Sequence, residues 1–383
     1  MKKSSYRIPL FCIVTILYWF SMYSYVPILS TYAESLGASY KMIGLIVGSY
    51  GFTQMLLRVP LGILSDKIGK RKIFIIMGIA LCFMSAIGMW IFKTPFWLLV
   101  FRSLAGVAVS TWVAYTVLFS SYFALQEAPK AIGIINSFTT IGQMSATLIG
   151  GYAAQYFGQA STFVLAAVGG LIGLLLSLFI VENNNVNADR QPLTLSQLLS
   201  VSKDYKLLLV SGLAIVVQFI IFATTYGFTP VAAKSIGASD VQLGLLATFS
   251  ALPTVFTSAA SGSFLAKRYS EKKMIVIGFI ILFAACAVIP FIKNIYLLYI
   301  SQAIGGIGRG LVYPLLMALS IKSVENSKRA TAMGFFQAIY SIGMFLGPTF
   351  TGFVSDVLSL TWGFVLTAVL GLAGALISAR FIK

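Results

Sequence analysis

Residues 58–73 read Arg-Val-Pro-Leu-Gly-Ile-Leu-Ser-Asp-Lys-Ile-Gly-Lys-Arg-Lys-Ile and separate two long apolar runs. The first run ends at Leu64, and the acid Asp66 follows it. The cations of this segment are Lys67, Lys70, Arg71 and Lys72. A charged segment this short between two membrane-length runs predicts a tight loop at a membrane surface. Gly62 and Gly69 predict close helix approach and a sharp turn, and the single acid predicts a structural or switching role.

The composition indicates a polytopic membrane protein. Of 383 residues, 58% are hydrophobic and 10% are charged, and the mean hydropathy is +0.93. The net charge of +17 does not predict a nucleic-acid partner, because the cations lie in short loops between apolar runs. The chain has no histidine, and its three cysteines lie inside apolar runs, so we expect no metal, disulfide or cofactor.

Apolar runs long enough to cross a membrane core of about 30 Å recur twelve times. They cover residues 8–30, 41–64, 73–93, 96–120, 131–157, 160–182, 206–233, 241–265, 274–292, 295–321, 330–354 and 358–380. Loops that follow even-numbered spans, together with the termini, carry 20 cations, and the other loops carry four. The excess of cations in the loops on the side of the termini predicts a protein of the cytoplasmic (inner or plasma) membrane with both termini in the cytoplasm.

The two halves of the sequence repeat. Residues 35–45 match residues 235–245 at an offset of 200. Glycines follow at offsets of 200 or 201: Gly62 with Gly262, Gly78 with Gly278, Gly133 with Gly334, Gly142 with Gly343 and Gly151 with Gly352. A near-constant offset indicates duplication. We therefore predict an all-α membrane protein in which twelve transmembrane helices form two pseudo-symmetric six-helix bundles, residues 1–182 and 206–383, joined by a cytoplasmic linker, residues 183–205. Its apolar residues between 193 and 201 predict a short helix on the membrane surface.

Residues 62–71 resemble the signature loop between helices 2 and 3 of the major facilitator superfamily. The family pattern is Gly-x-Leu-Ala-Asp-Arg-x-Gly-Arg-Lys, and Ser65 and Lys67 are mild departures from it. The second half keeps the basic loop, but Ala266 stands where Asp66 does. The resemblance implies a secondary transporter with its substrate site between the halves near the membrane midplane, and a conformational switch in this loop.

The fourth and fifth spans carry further likenesses to the family. Arg102 and Gly106 fit the helix-4 motif, which implies proton coupling or charge pairing for the arginine; an arginine that reaches the interface is the alternative. Drug–proton antiporters carry Gly-Pro in helix 5, where this chain has Ala146-Thr147. The glycines that we expect at helix contacts, with the proline that follows one of them, are Gly106, Gly133, Gly142, Gly343, Gly347 and Pro348.

Three arginines, Arg58, Arg102 and Arg309, lie inside predicted spans, and no acid lies in the middle of a span. Arg309 is placed near mid-membrane. Because a cation there is costly, it is expected to face a wet cavity or a partner. Two interpretations remain open: carbonyls and water satisfy Arg309, or the anionic group of a substrate does so.

Uncharged side chains complete the candidate cavity. They are Tyr23, Trp112, Tyr115, Gln143, Gln218, Tyr313, Gln337 and Tyr340. Aromatic rings with a few polar groups suit a small amphipathic ligand, although packing could account for each ring taken alone. A buried amide needs hydrogen-bond partners, which favours Gln218 and Gln337 as binding residues.

The sequence contains no nucleophile–base pair, metal-ligand spacing or phosphate loop, so we predict no enzyme and no ATP-driven pump. The first hypothesis is alternating-access, proton-coupled efflux of small amphipathic compounds or metabolites, as in the bacterial exporters of the resembled family. The second is uptake or exchange of an organic anion through Arg102 and Arg309. The third is a lipid flippase or a sensor. The expected partners are a small-molecule substrate, protons and the lipid bilayer, and a monomer is expected.

Overall fold

The computed structural model describes residues 6–124, 127–182, 203–262, 265, 268–322, 324–325 and 328–382. Within these ranges the regular structure is helical. The membrane-length segments are α1 (Arg7–Ser35), α2 (Tyr40–Ile68), α3 (Arg71–Ile91), α4 (Pro95–Ser120), α5 (Ala128–Phe157), α6 (Ser161–Ser177), α7 (Tyr205–Ser235), α8 (Asp240–Gly262), α9 (Glu271–Phe291), α10 (Ile295–Lys322), α11 (Arg329–Val357) and α12 (Leu360–Phe381). They confirm the predicted all-α membrane fold.

Ten of the described helices are long and apolar enough to cross a membrane. The other two are α5 and α6. Helix α6 has 17 residues and is simply shorter. Helix α5 has 30 residues, but Asn136, Gln143 and several hydroxyl side chains lower its hydropathy. Both helices are packed among the others and complete the first six-helix bundle.

The charged segment after α2 is even shorter than predicted. Helix α2 continues through Asp66 and Lys67 to Ile68, so the acid lies in the last helical turn and not in a loop. Gly69 then adopts a left-handed conformation with φ of 69°, and α3 begins two residues later. The apolar pattern stops at Leu64, whereas the helix continues until a glycine can take the backbone conformation that ends it.

Most of the predicted linker, residues 183–202, lies outside the described residues, and so does the surface helix proposed within it. The described part of the linker shows how the second half begins. The carboxylate of Asp204 accepts hydrogen bonds from the backbone N–H groups of Lys206 and Leu207, at 2.8 and 3.1 Å. Asp204 therefore caps the N-terminus of α7.

Equivalent helices pack in the same way within the two halves. Helix α1 packs against α5, and α7 packs against α11. A side chain at Gly142 would clash with the carbonyl of Ile16 on α1, and one at Gly343 would clash with the carbonyl of Ile215 on α7. Two more of the predicted glycines lie at close helix approaches. A side chain at Gly106 on α4 would clash with Thr53 on α2, and one at Gly347 on α11 would clash with Phe219 on α7. The repeat in the sequence thus appears as a repeat in helix packing.

The two halves meet along two seams, α2 against α11 and α5 against α8. We name the ends of the bundle after α2: the Tyr40 end, where α2 begins, and the Asp66 end, where it finishes. At the Tyr40 end, glycines bring the backbones of facing helices into contact. The contacts join Gly44 to Pro348, Gly352 to Tyr40, Gly244 to Thr147, and Gly151 to Asp240 and Gly244.

The same four helices carry glycines near the Asp66 end. These are Gly62 on α2, Gly133 on α5, Gly262 on α8 and Gly334 on α11. Among the described atoms outside the local backbone, none lies within 4 Å of the position that a Cβ would take at any of them. Among the described residues, the seams are therefore tightly packed at the Tyr40 end, and they leave space beside these four glycines at the Asp66 end. Gly133, predicted at a helix contact, and Gly62, predicted at a close helix approach, both lack such a contact among the described residues in this conformation.

Candidate substrate site between the halves

A carboxylate of one half caps a helix of the other at the Tyr40 end. The side chain of Asp356, near the end of α11, accepts hydrogen bonds from the backbone N–H groups of Tyr40 and Lys41, at 2.8 and 2.9 Å. These are orphan donors of the first turn of α2, which attract a negative charge. The cap therefore stabilises the closed seam between α2 and α11.

The other seam has an equivalent cap. The side-chain carbonyl of Gln155 on α5 accepts from the backbone N–H of Asp240 at 3.0 Å, and Gln159 donates to the Asp240 carboxylate at 3.0 Å. Lys234 pairs with the same carboxylate at 2.8 Å. Asp240 corresponds to Tyr40 at the offset of 200, and Asp356 corresponds to Gln155 at 201. Neither cap was predicted from the sequence, because each joins residues that are far apart along the chain.

Arg58 makes the deepest hydrogen bond that joins the halves among the described residues. Its guanidinium donates to the hydroxyl of Tyr340 on α11 at 2.9 Å, and Arg58 is 5% exposed. Tyr340 packs edge-on against Tyr313, with 5.9 Å between ring centroids. The bond between Arg58 and Tyr340 thus holds α2 and α11 together past the middle of α2. The ring of Tyr313, on α10, packs against Tyr340 at the same level.

Arg102 is buried within the first half, with 3% exposure. Its guanidinium donates to the hydroxyl of Tyr25 at 2.9 Å and lies 4.3 Å from the ring centroid of Tyr50. The arginine is therefore held by a hydrogen bond and by a cation–π contact, and no carboxylate of the described residues pairs with it. In this conformation it ties α4 to α1 and α2.

Arg309 differs from the other two arginines. It lies at the middle of α10, is half-buried, and donates to the hydroxyl of Tyr226 over a long 3.5 Å. The ring of Tyr226 packs against Tyr23 of the other half at 5.9 Å between centroids. Arg309 therefore lies beside the contact between the halves at mid-depth, and its other donors form no hydrogen bond with a described residue.

The aromatic candidates divide into two groups. Trp112, Tyr23 and Tyr313 are half-buried, while Tyr340 is buried at the seam. Tyr115 is completely buried inside the first half, where Phe11 packs edge-on against it at 5.9 Å. Its apolar surroundings place Tyr115 in the core of that half and not in the space between the halves.

The three glutamine candidates are half-buried rather than fully buried. The side chains of Gln143, Gln218 and Gln337 form no hydrogen bond with other described residues. The burial that favoured two of them in the sequence is therefore not observed. Their amide groups remain available to water or to a ligand.

Two residues of the predicted switch form an ion pair with each other, and both belong to the first half. Asp66 pairs with Arg71 at 2.8 Å, and the side chains are 23% and 5% exposed. Glu182 accepts from the backbone N–H groups of Arg71 and Lys72 and so caps α3. Leu64, Lys67 and Lys70 are exposed. In this conformation, Asp66 has a partner on its own half, and its role in switching stays a prediction.

Asp66→Asn should lower transport sharply while the protein still inserts into the membrane. The substitution keeps the side-chain size but removes the charge that compensates the largely buried guanidinium of Arg71. Initial transport rates per inserted protein, with quantified membrane protein, would measure the effect. The matched control is Glu127→Gln, which breaks an exposed ion pair with Lys130 and should leave transport unchanged. Normal transport by the Asp66 variant would refute the switch.

The sequence profile of the Major Facilitator Superfamily matches residues 11–233 and 211–383. The chain belongs to this family of membrane transporters, and it is a transporter rather than an enzyme.

Relatives and solved structures agree with the family. The chain is 25% identical over 366 residues to an uncharacterized MFS-type transporter, MJ1560, of Methanocaldococcus jannaschii, covering 92% of each chain. It is 23% identical over 339 residues to the multi-drug resistance efflux pump PmrA of Streptococcus pneumoniae, covering 84% of this chain and 82% of PmrA. The fold superposes with a TM-score of 0.81 on a bacterial homologue of the human lysosomal transporter Spinster, at 17% identity, covering 98% and 96% of the two chains.

Proposed function

We propose that this transporter exports small amphipathic compounds that carry one compact anionic group, by alternating access. The observation that carries the proposal is the environment of Arg309. It is the arginine at mid-depth whose guanidinium makes a single long hydrogen bond, whereas Arg58 and Arg102 are held at 2.9 Å. An underused guanidinium between two halves of a transporter favours a carboxylate or phosphate ligand.

The surrounding residues support an amphipathic substrate. Tyr23 and Trp112 come from the first half, and Tyr226 and Tyr313 come from the second. Rings from both halves offer apolar faces to a small hydrophobic body. One chain supplies both walls, so we infer that a monomer contains the whole site.

The direction of transport rests on the relatives. PmrA is named as an efflux pump, and a tetracycline resistance protein is also similar to this chain, at 25% identity over 359 residues. Uptake or exchange of an organic anion would use the same site, so direction must be measured. Proton coupling is part of the proposal, and opening of the Tyr40 end would break the hydrogen bonds that the carboxylates of Asp240 and Asp356 make across the seams.

Transport into inside-out membrane vesicles tests the proposal. A panel should contain aromatic carboxylates, their uncharged amides and aromatic cations, each with and without an imposed pH gradient. Accumulation of carboxylates that requires the pH gradient would support proton-coupled export. Accumulation of the amides and cations at the same rates as the carboxylates would show that the substrate needs no anionic group. Uptake only into right-side-out vesicles would show that the protein imports its substrate.

Cysteines at the two ends of α7 test the orientation. Lys203 and Ser235 are both exposed, and the native Cys12, Cys82 and Cys286 are buried. We propose that the Asp66 end is cytoplasmic, because the cations concentrate there. An impermeant thiol reagent added to intact cells should therefore label Ser235→Cys and not Lys203→Cys, and permeabilised cells should show labelling of both. The reverse pattern in intact cells would overturn the orientation.

A further inference from the structure

The repeat relates a pair of large side chains in the first half to a pair of smaller side chains in the second half. At the offset of 200, Arg102 corresponds to Gln302 and Tyr25 corresponds to Thr225. Both pairs are hydrogen-bonded: Arg102 donates to Tyr25 at 2.9 Å, and Thr225 donates to the side-chain carbonyl of Gln302 at 3.0 Å. The second pair has the same connection with much smaller side chains, which leaves room beside it.

A cavity of about 20 Å³ lies at this place, between α7, α8, α9 and α10. Its apolar lining includes Ile220 and Leu282, and Arg309 borders it. A volume of this size holds a single water-sized group or a compact ion. The cavity is therefore too small for a whole amphipathic substrate and large enough for one charged group.

Unused hydrogen-bond donors converge on the cavity. The carbonyl of Gln302 is taken by Thr225, so its amide N–H groups remain, and Gln302 is 5% exposed. Ser250 is 4% exposed, lines the cavity, and makes no side-chain hydrogen bond to another described residue. Arg309 adds a guanidinium with one long bond. All three residues line the cavity and have donors without an acceptor among the described residues, so an anion there would accept hydrogen bonds from all three.

The other hydroxyl groups that line the cavity already have acceptors. Thr224 donates to the carbonyl of Ile220 at 2.7 Å, and Ser301 donates to the carbonyl of Ala285 at 2.9 Å. Their hydrogens are thus engaged away from the cavity, which distinguishes them from the hydroxyl of Ser250. This difference within a single cavity provides matched variants for a test.

We propose that this cavity binds a compact monovalent anion, held by Gln302, Ser250 and Arg309. Two sources share this chemistry: a free halide ion such as chloride, and the carboxylate end of a transported compound. The positive charge of Arg309 has no carboxylate partner among the described residues, and an anion here would neutralise it within a low-dielectric bundle. The carboxylate source rests on the proposed function, whereas the halide source does not.

Anion-dependent stability of the purified full-length protein tests the site without any transport assay. The midpoint of thermal unfolding should rise in chloride, bromide or formate relative to gluconate or sulfate at equal ionic strength, because a ligand that binds the folded state stabilises it. An unfolding midpoint that is the same in all five anions would overturn the proposal.

Two serine variants separate binding from nonspecific salt effects. Ser250→Ala should lose most of the anion-dependent shift, whereas Ser301→Ala should keep the shift even if its baseline stability falls. Gln302→Glu, which replaces the donor amide with an acceptor carboxylate, should abolish the shift. Equal shifts in Ser250→Ala, Ser301→Ala and Gln302→Glu would place the anion effect elsewhere and refute the site.

A competition experiment distinguishes the two sources. Benzoate carries a carboxylate on a body too large for the cavity, so only its carboxylate end can enter. Stabilisation by benzoate that chloride reduces would assign the cavity to the carboxylate end of a substrate. Stabilisation by chloride alone would assign it to a free halide, and this result would stand even if carboxylate transport failed.

Discussion

Gly44→Val should abolish transport without reducing the amount of inserted protein. In the described conformation, a Cβ at this position would clash with the backbone carbonyl of Pro348 on α11. Overpacking a close-packed contact costs about 1–3 kcal/mol. Because about 1.4 kcal/mol changes an equilibrium constant tenfold, the closed state of the Tyr40 end should lose population by roughly 5- to 150-fold. Initial transport rates per inserted protein provide the measurement.

Two other glycines control for the substitution itself. Gly62→Val should leave the described conformation intact, because no described atom outside the local backbone lies within 4 Å of the Cβ position. The same substitution should stop transport, because the added side chain would block closure of the Asp66 end. Gly212 on α7 also has open space and lies on neither seam, so Gly212→Val should transport normally. Normal transport by Gly44→Val, or equal loss in all three variants, would contradict this account of the seams.

Arg309→Gln should reduce transport of an aromatic carboxylate by at least tenfold, and Arg309→Lys should retain part of it. Hydrogen bonds to charged groups contribute about 1.5–3 kcal/mol, and lysine keeps the charge without the two-pronged grip of arginine. Transport rates against concentration should show the loss for the carboxylate and a much smaller change for the matching amide. The long 3.5 Å bond to Tyr226 means that little protein structure depends on this side chain.

Arg102→Gln is the comparison that separates ligand binding from structure. Arg102 is buried with a 2.9 Å bond to Tyr25, so its loss should lower the amount of folded protein. If Arg309→Gln also transports less only in proportion to lost folded protein, Arg309 has a structural role. If a cation is transported and Arg309→Gln leaves its apparent affinity unchanged, the anionic-substrate proposal fails.

The fold was predictable because its signals are local and repeated. Apolar runs of membrane length marked the helices, and glycines at a constant offset indicated the duplication. Two of these glycines, Gly151 and Gly352, prove to lie at contacts between the halves, which the offset did not predict. Helix ends were harder. Asp66 belongs to α2 because a helix ends where glycine adopts a left-handed conformation, not where hydrophobicity ends.

The sequence identified the arginines of the candidate site, but it did not identify the side chains that bind them. The three arginines inside the predicted spans could be found from the cost of a cation in a membrane, but the hydroxyl groups of Tyr25, Tyr226 and Tyr340 that bind them come from other helices. Sequence spacing alone does not indicate such tertiary neighbours. Tyr115 shows the converse, because an aromatic ring has the same sequence signal in a packed core as at a cavity wall.

Paired spin-label distances test the central claim, that the two ends of the seams close in alternation. The first pair, Phe157→Cys on α5 and Val357→Cys on α11, reports the Tyr40 end, and both positions are well exposed. The second pair, Ile68→Cys and Arg329→Cys, reports the Asp66 end. In lipid nanodiscs, across a range of pH and in the Gly44→Val and Gly62→Val backgrounds, conditions that lengthen the first distance should shorten the second. Two distances that stay fixed, or that lengthen together, would contradict alternating access in this protein.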